Sequence, residues 1–151
     1  GARVISIDAN PAMVEQLKFN FRASGLSDAD VRHVAVGDTD GMASLQIYRD
    51  DVAIVNIVDD AEGLIPIRRL DRILEDAGVA RVDVLKIDVE GHEDLALAPF
   101  LTSVTGDLLP DRIVIERFGE NDYPACSAAF EQLGYKSVGR TRSNSLYQRF
   151  A

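Results

Sequence analysis

At four places in this chain a short apolar run closes on an acidic residue, and no other feature narrows the fold so far. Residues 4–7 end at Asp8, and 31–36 end at Gly37 and Asp38. Residues 82–87 deliver Asp88 and Glu90, and 112–115 deliver Glu116. Runs of this length bounded by turn residues read as strands, and apolar residues at helical spacing follow Asp8, Glu90 and Glu116. The alternation predicts an α/β fold with a mostly parallel sheet. Ligands bind such sheets at the carboxyl ends of the strands, so four parallel strands would set these acids along one rim. The first strand starts only three residues into the chain, so upstream sequence is expected before Gly1.

Helix signals are clear after the first strand. Asn10 suits an N-cap, Pro11 the first helical position and Gly25 a C-terminal stop. Between them Met13, Val14, Leu17 and Phe21 recur at helical spacing. After the Asp40-Gly41 turn, Ala43, Leu45 and Ile47 alternate with polar residues, the period of a half-buried strand. Residues 53–58, between acidic pairs, read as a loop or short strand over the mouth of the sheet. A short strand at 64–67 and a helix at 70–77, stopped by Gly78, come next. The run at 82–87 is the clearest buried strand. In the helix after it, Glu93 and Asp94 supply first-turn charge, Leu95, Ala98 and Leu101 form the apolar face, and Pro99 should kink or shorten it. A helix at 124–133, with Ala129, Phe130 and Leu133 inward, is closed by Gly134. The last two strands, 135–139 and 146–150, are too close for a parallel crossover, so they should form an antiparallel hairpin.

Length and composition set bounds on function. The 151 residues suit one domain, taken as 1–151, and 46% hydrophobic with 27% charged residues is ordinary for a globular chain. The net charge of -9 disfavours a non-specific nucleic-acid binder, which needs a basic surface. One cysteine, Cys126, cannot make an internal disulfide, which fits a reducing, cytoplasmic setting. No apolar run approaches about 18 residues, so neither a membrane span nor a membrane partner is expected.

Each candidate site residue has a functional and a plainer reading. Asp8 can accept hydrogen bonds from both hydroxyls of a nucleotide ribose, or only cap the turn into the helix. Asp38 can accept from an adenine amine while Gly37 lets the ring approach the backbone, or both belong to a simple turn. Asp88 and Glu90 can hold a substrate amine or hydroxyl, act as general base, or bind a hard cation with Glu116. Four acids in the seven residues 88–94 exceed what capping the next helix requires. Lys86 is either their neutralising partner or a snorkelling edge residue. His92 can shuttle protons or be structural. His33 reads as structural, Cys126 as a buried small residue, and Arg68, Arg69 and Arg72 as a solvated face.

The stretch Val84-Leu85-Lys86-Ile87-Asp88-Val89-Glu90-Gly91-His92-Glu93 resembles the FkbM-type methyltransferases, which use S-adenosylmethionine and are typically O-methyltransferases. Ile7-Asp8-Ala9-Asn10-Pro11 is similar to the family's acidic second strand. Ala35-Val36-Gly37-Asp38-Thr39-Asp40-Gly41 is similar to the segment after its third, and Leu70-Asp71-Arg72-Ile73-Leu74 to an element before the core motif. The resemblance implies a Rossmann-like class I methyltransferase sheet whose last strand is antiparallel. It implies S-adenosylmethionine as cofactor, with Asp8 at the ribose and Gly37 and Asp38 beside the adenine, and Asn10 is counted with them as cofactor-binding. Asp88, Glu90 and His92 are then the catalytic candidates, facing the methionine end and the acceptor, and no metal is counted in the site. The family's first strand and glycine-rich turn precede the position matching Val4, so the sheet is expected to be incomplete at its N-terminal side.

Methylation of a hydroxyl on a small molecule or sugar follows as the leading expectation, with an acceptor pocket drawn from 50–63 and 119–123 and possible self-association through an exposed sheet edge. A non-catalytic interaction domain on a truncated methyltransferase fold is the alternative. An NAD-dependent dehydrogenase is a third reading, because a strand-terminal acid also binds NAD ribose; the terminal hairpin and the acidic pair argue against it.

Overall fold

The computed structural model describes residues 2–26, 29–47, 55–117 and 123–150, in two compact units, Gly1–Arg68 and Arg69–Ala151. The expected acceptor loops fall partly outside the described residues, at 48–54 and 118–122.

The first unit opens with β1 (Ile5–Asp8) and α1 (Pro11–Ala23). Asn10 caps α1 as its sequence predicts, its Oδ1 accepting the Ala12 amide at 2.9 Å, and Val14 is the buried anchor of the helix. β1 pairs in parallel with β2 (Asp30–His33). The run expected as one strand at 31–36 is in fact two. The Val34 amide still donates to the Asp8 carbonyl, but β3 (Ala35–Val36) then joins a different sheet. That sheet runs β3-β6-β4-β5, with β4 at Gly41–Ile47, β5 at Val55–Asp59 and β6 at Ile65–Arg68. β5 is the edge of a hairpin with β4, so residues 55–58 extend a sheet rather than cover one.

The second unit has α2 (Leu70–Asp76), β7 (Val84–Ile87), α3 (Glu93–Ser103), a 3-10 turn at Gly106–Leu108, β8 (Arg112–Glu116), α4 (Pro124–Gln132), β9 (Tyr135–Arg140) and β10 (Asn144–Arg149). Its sheet order is β7-β8-β10-β9. β7 and β8 run parallel, whereas β10 is antiparallel to both neighbours, as the short last connection requires. Thr141 closes that hairpin, its Oγ1 accepting the Asn144 amide at 2.9 Å. Ile113 and Ile115 of β8 are buried with Leu97, Phe100 and Leu101 of α3 and Phe130 of α4. The Tyr135 hydroxyl donates to the Pro110 carbonyl at 2.6 Å, and burial pushes that phenol up to about 12.

Several expectations need correcting. Among the described strands three pairings are parallel and four antiparallel, in three sheets, so the fold is mixed α/β rather than mostly parallel. β7 is not the best-buried strand: among the described residues it pairs on one side only, and Val84 is 57% exposed. Leu95 is exposed, and the buried face of α3 is instead Ala96, Leu97, Ala98, Phe100 and Leu101. Pro99 does not end α3, which runs on to Ser103. Proline removes only the bond to the carbonyl four residues back, and that carbonyl belongs to the exposed Leu95.

Candidate functional site

The carboxyl ends of β7 and β8 are neighbours because the strands are parallel, with Ile87 opposite Ile115. This register brings Asp88 and Glu116 together just beyond the last paired residues. Glu90 joins them through a turn. The His92 amide donates to the Val89 carbonyl at 3.2 Å, and the two residues between, Glu90 (φ 51) and Gly91 (φ 94), are both left-handed. Glycine adopts this conformation freely, but glutamate does so at a cost of about 1 kcal/mol or more.

Glu93 holds the turn from below. It is fully buried, and its Oε1 accepts the Val89 amide at 3.1 Å. Its Oε2 is buried without a hydrogen-bond partner among the described residues. Asp94 points elsewhere, its two oxygens accepting the Ala125 and Cys126 amides at 3.0 and 2.8 Å. It therefore caps α4, a helix with no cap of its own. The two residues read from the sequence as first-turn charge thus each have a specific structural partner.

Asp88, Glu90 and Glu116 place carboxylate oxygens within 4.8 Å of one another. They are the one group among the described residues close enough to share a hard cation, and no other observation points to an ion there. Lys86 pairs with Asp88 at 2.6 Å, so the lysine is a neutralising partner carried on an edge strand. Glu116 is the unusual member. Partial burial, then the charge of Asp88 and a hydrogen bond shared with it, then the Glu90 and Glu93 charges, push its carboxyl up to about 7. Its Oε2 is buried and has no hydrogen-bond partner among the described residues. Sequence reading placed Glu116 on the rim without giving it a catalytic role. The signal that could have raised it is that strands 82–87 and 112–116 are consecutive, with a helical crossover between them, which makes them parallel neighbours.

The other expected residues have local partners. Asp8 Oδ1 accepts the Asn10 amide at 2.7 Å, and Oδ2 takes no bond among the described residues. Asn10 is buried and is held by its capping bond. Gly37 has a packing reason of its own, because a Cβ there would stand 2.7 Å from Ile67 Cγ2. Asp38 is exposed and takes a bond from Thr39 Oγ1 at 3.4 Å. His92 stands at the N-cap of α3, its Nδ1 3.3 Å from the Val89 carbonyl. His33 Nε2 lies 3.0 Å from the Ala9 carbonyl. Cys126 is fully buried, and burial raises its thiol far above the ordinary value, which removes it as a nucleophile. Arg68, Arg69 and Arg72 each pair with a nearby acid: Asp40, Asp71 and Glu75.

The methyltransferase FkbM domain model matches residues 1–137, covering both β7 with its acidic turn and β8 with Glu116. The chain belongs to the FkbM methyltransferase family. For this FkbM-family chain, neither the curated proteins nor the solved structures gave a match. The match spans all four acid-terminated runs and stops within β9, before the end of the terminal hairpin. Among the described residues no helix is long and apolar enough to cross a membrane.

Proposed function

We propose that this FkbM-family chain is an S-adenosylmethionine-dependent O-methyltransferase acting on a hydroxyl of a small molecule or sugar. The observation that carries this reading is the gathering of Asp88, Glu90 and Glu116 at one strand edge, in a chain matched as a methyltransferase over 137 residues. Carboxylates at hydrogen-bond range are the groups that can take hydrogen bonds, and then the proton, from a hydroxyl nucleophile. When bound, S-adenosylmethionine supplies a methyl group on a positively charged sulfur.

The residues present suit that cofactor by the chemistry of their donors and acceptors. Asp8 has one oxygen committed to the Asn10 amide and one open, which leaves acceptor capacity for the ribose hydroxyls. Asp38, exposed beyond β3, can accept from the adenine amine, and Gly37 precedes it. Three carboxylates against one ammonium, Lys86, leave the β7–β8 edge with net negative charge. Taken by itself, that charge suits a cationic methyl donor. The chain's part in the reaction is to bind, align and hold a proton; alignment alone can account for several kcal/mol of the barrier.

The test is isothermal titration of the 151-residue chain with S-adenosylmethionine and, separately, with NAD. Binding of the first and not the second is expected. A folded chain that binds neither would overturn the enzyme reading in favour of an interaction domain, and binding of NAD alone would favour a dehydrogenase.

A further inference from the structure

The turn between β1 and α1 has its amides and its carbonyls satisfied from different places. Its amides are met from inside the turn: Asp8 Oδ1 takes the Asn10 amide at 2.7 Å, and Asn10 Oδ1 takes the Ala12 amide at 2.9 Å. Its three successive carbonyls are met by three unlike donors. The Asp8 carbonyl accepts the Val34 amide at 3.1 Å, and the Asn10 carbonyl accepts the Val14 amide of α1 at 3.0 Å. The Ala9 carbonyl, between them, lies 3.0 Å from Nε2 of His33, 24 residues further along the chain. A carbonyl can only accept, so Nε2 carries the proton of this bond.

Strand pairing puts His33 there. It is the last residue of β2 and stands opposite Asp8 in the parallel register. Two residues on, the chain enters β3 and another sheet, so the imidazole ties β2 to the turn just before the strands part.

The tie bears directly on the Asp8 carboxylate. The Ala9 carbonyl and the Asn10 amide belong to one peptide group, which is planar. His33 holds its oxygen end and Asp8 Oδ1 holds its N–H end. A bond at the oxygen both fixes the plane and polarises the N–H toward its acceptor. Resting on the methyl-transfer reading above, in which Asp8 meets the cofactor's ribose, we infer that His33 is a positioning residue for that contact: by holding the Ala9 carbonyl it fixes the peptide on which the Asp8 carboxylate rests.

His33 is exposed, so in its absence water can solvate the Ala9 carbonyl. Water satisfies the oxygen without fixing the plane. Loss of His33 therefore costs the fold little and the ribose contact more.

The experiment compares the wild-type 151-residue chain with His33→Ala, His33→Gln, Asp8→Asn and the double variant Asp8→Asn with His33→Ala. Glutamine is the conservative replacement, because its side-chain amide can place an N–H where Nε2 stands. Thermal melting, the Asn10 amide proton resonance of the free chain and the affinity for S-adenosylmethionine by isothermal titration are read for each. In His33→Ala the melting temperature should stay within about 2 °C of wild type. The Asn10 amide resonance should move upfield as its bond to Asp8 weakens. Affinity should fall about fivefold, and His33→Gln should recover most of that loss. In the Asp8→Asn background, His33→Ala should lower affinity by less than about twofold, because the carboxylate it positions is already gone.

Wild-type affinity in His33→Ala, or an equal fall with and without the Asp8 carboxylate, overturns the positioning role and leaves the methyl-transfer reading standing. A fall in affinity that comes with a large loss of melting temperature, and that His33→Gln does not recover, assigns His33 to the fold alone and overturns the role as well. A wild-type chain that binds no S-adenosylmethionine overturns the methyl-transfer reading, and the positioning role with it.

Discussion

Two strand–acid–helix turns in this molecule look alike in sequence and are built differently. After β1, Asp8, Asn10 and Pro11 lead into α1, and the turn is held by its own polar side chains: Asp8 takes the Asn10 amide and Asn10 takes the Ala12 amide. After β7, Asp88, Glu90 and Gly91 lead into α3, and the turn is held by a later residue, Glu93, reaching back to the Val89 amide. The N-cap position itself is His92, whose side chain makes no capping bond to the helix. Because Glu93 does the holding from within the core, Asp88 and Glu90 are left to gather with Glu116. An acid at a strand end therefore keeps both oxygens for chemistry only when something else satisfies the turn's backbone; Asp8, which holds its own turn, keeps one.

The first way to break this comparison is to remove the hidden support. Glu93→Ala should destabilise the chain by about 2–3 kcal/mol in chemical denaturation, because it orphans a part-buried amide and empties a core position. It should also move the titration of Glu116 down toward the ordinary carboxylate range, since the Glu93 charge is gone and Glu90 loses its fixed place. Asp94→Ala comes next, at about 1–2 kcal/mol, because two amides of α4 lose their acceptor. Asn10→Ala, which frees one amide of α1, should cost about 1 kcal/mol and leave the Glu116 titration unchanged. Equal effects of Glu93→Ala and Asn10→Ala would show that the two turns are held alike.

Much of the first turn was legible because its physics is local. Asn10, Pro11 and Gly25 act through bonds or backbone angles within a few residues, so the sequence order already contains them. The terminal hairpin was legible for the same reason, since a short link permits only antiparallel pairing. The second turn depends on contacts the order hides. Nothing local says that Glu93 is buried and Asp94 is spent on a helix 31 residues away. Nothing local says that β7 has, among the described residues, a partner on one side only and leaves Val84 exposed. Apolar periodicity reports which residues favour burial; pairing decides which of them achieve it. The acidic cluster was half legible: its members stood out by type, and their inequality came from tertiary surroundings.

The comparison also predicts which acid can be changed without harm to the fold. Asp8→Asn keeps an oxygen for the Asn10 amide, so the melting temperature should stay within about 1–2 °C of wild type while S-adenosylmethionine affinity falls about tenfold, or 1.4 kcal/mol. Asp8→Ala also removes the bond to the Asn10 amide and should lower melting temperature and affinity together. Unchanged affinity in Asp8→Asn would remove Asp8 from the ribose contact.

The smallest expected effect is the pH dependence of stability, and its sign separates Glu116 from ordinary acids. A carboxyl raised from 4.5 to about 7 in the folded chain binds more protons there than in the unfolded chain throughout that interval. Stability from this group is therefore full below about pH 4.5 and is lost as pH rises through about 7. Most acids with a cationic partner behave in the opposite sense, as Asp71 does beside Arg69, where the lowered carboxyl stabilises at higher pH and loses that contribution on acidification. Each unit of displacement corresponds to about 1.4 kcal/mol, and solvent at the half-exposed site screens part of it, so a loss of about 1 kcal/mol is expected. Urea denaturation of wild type and Glu116→Gln between pH 4.5 and 8 reads it directly. The variant, which has no proton to lose at that position, should overtake wild type in stability as the pH passes neutrality. Parallel curves for the two proteins would mean that Glu116 ionises as an ordinary surface acid, and the contrast between the two turns would lose its electrostatic half.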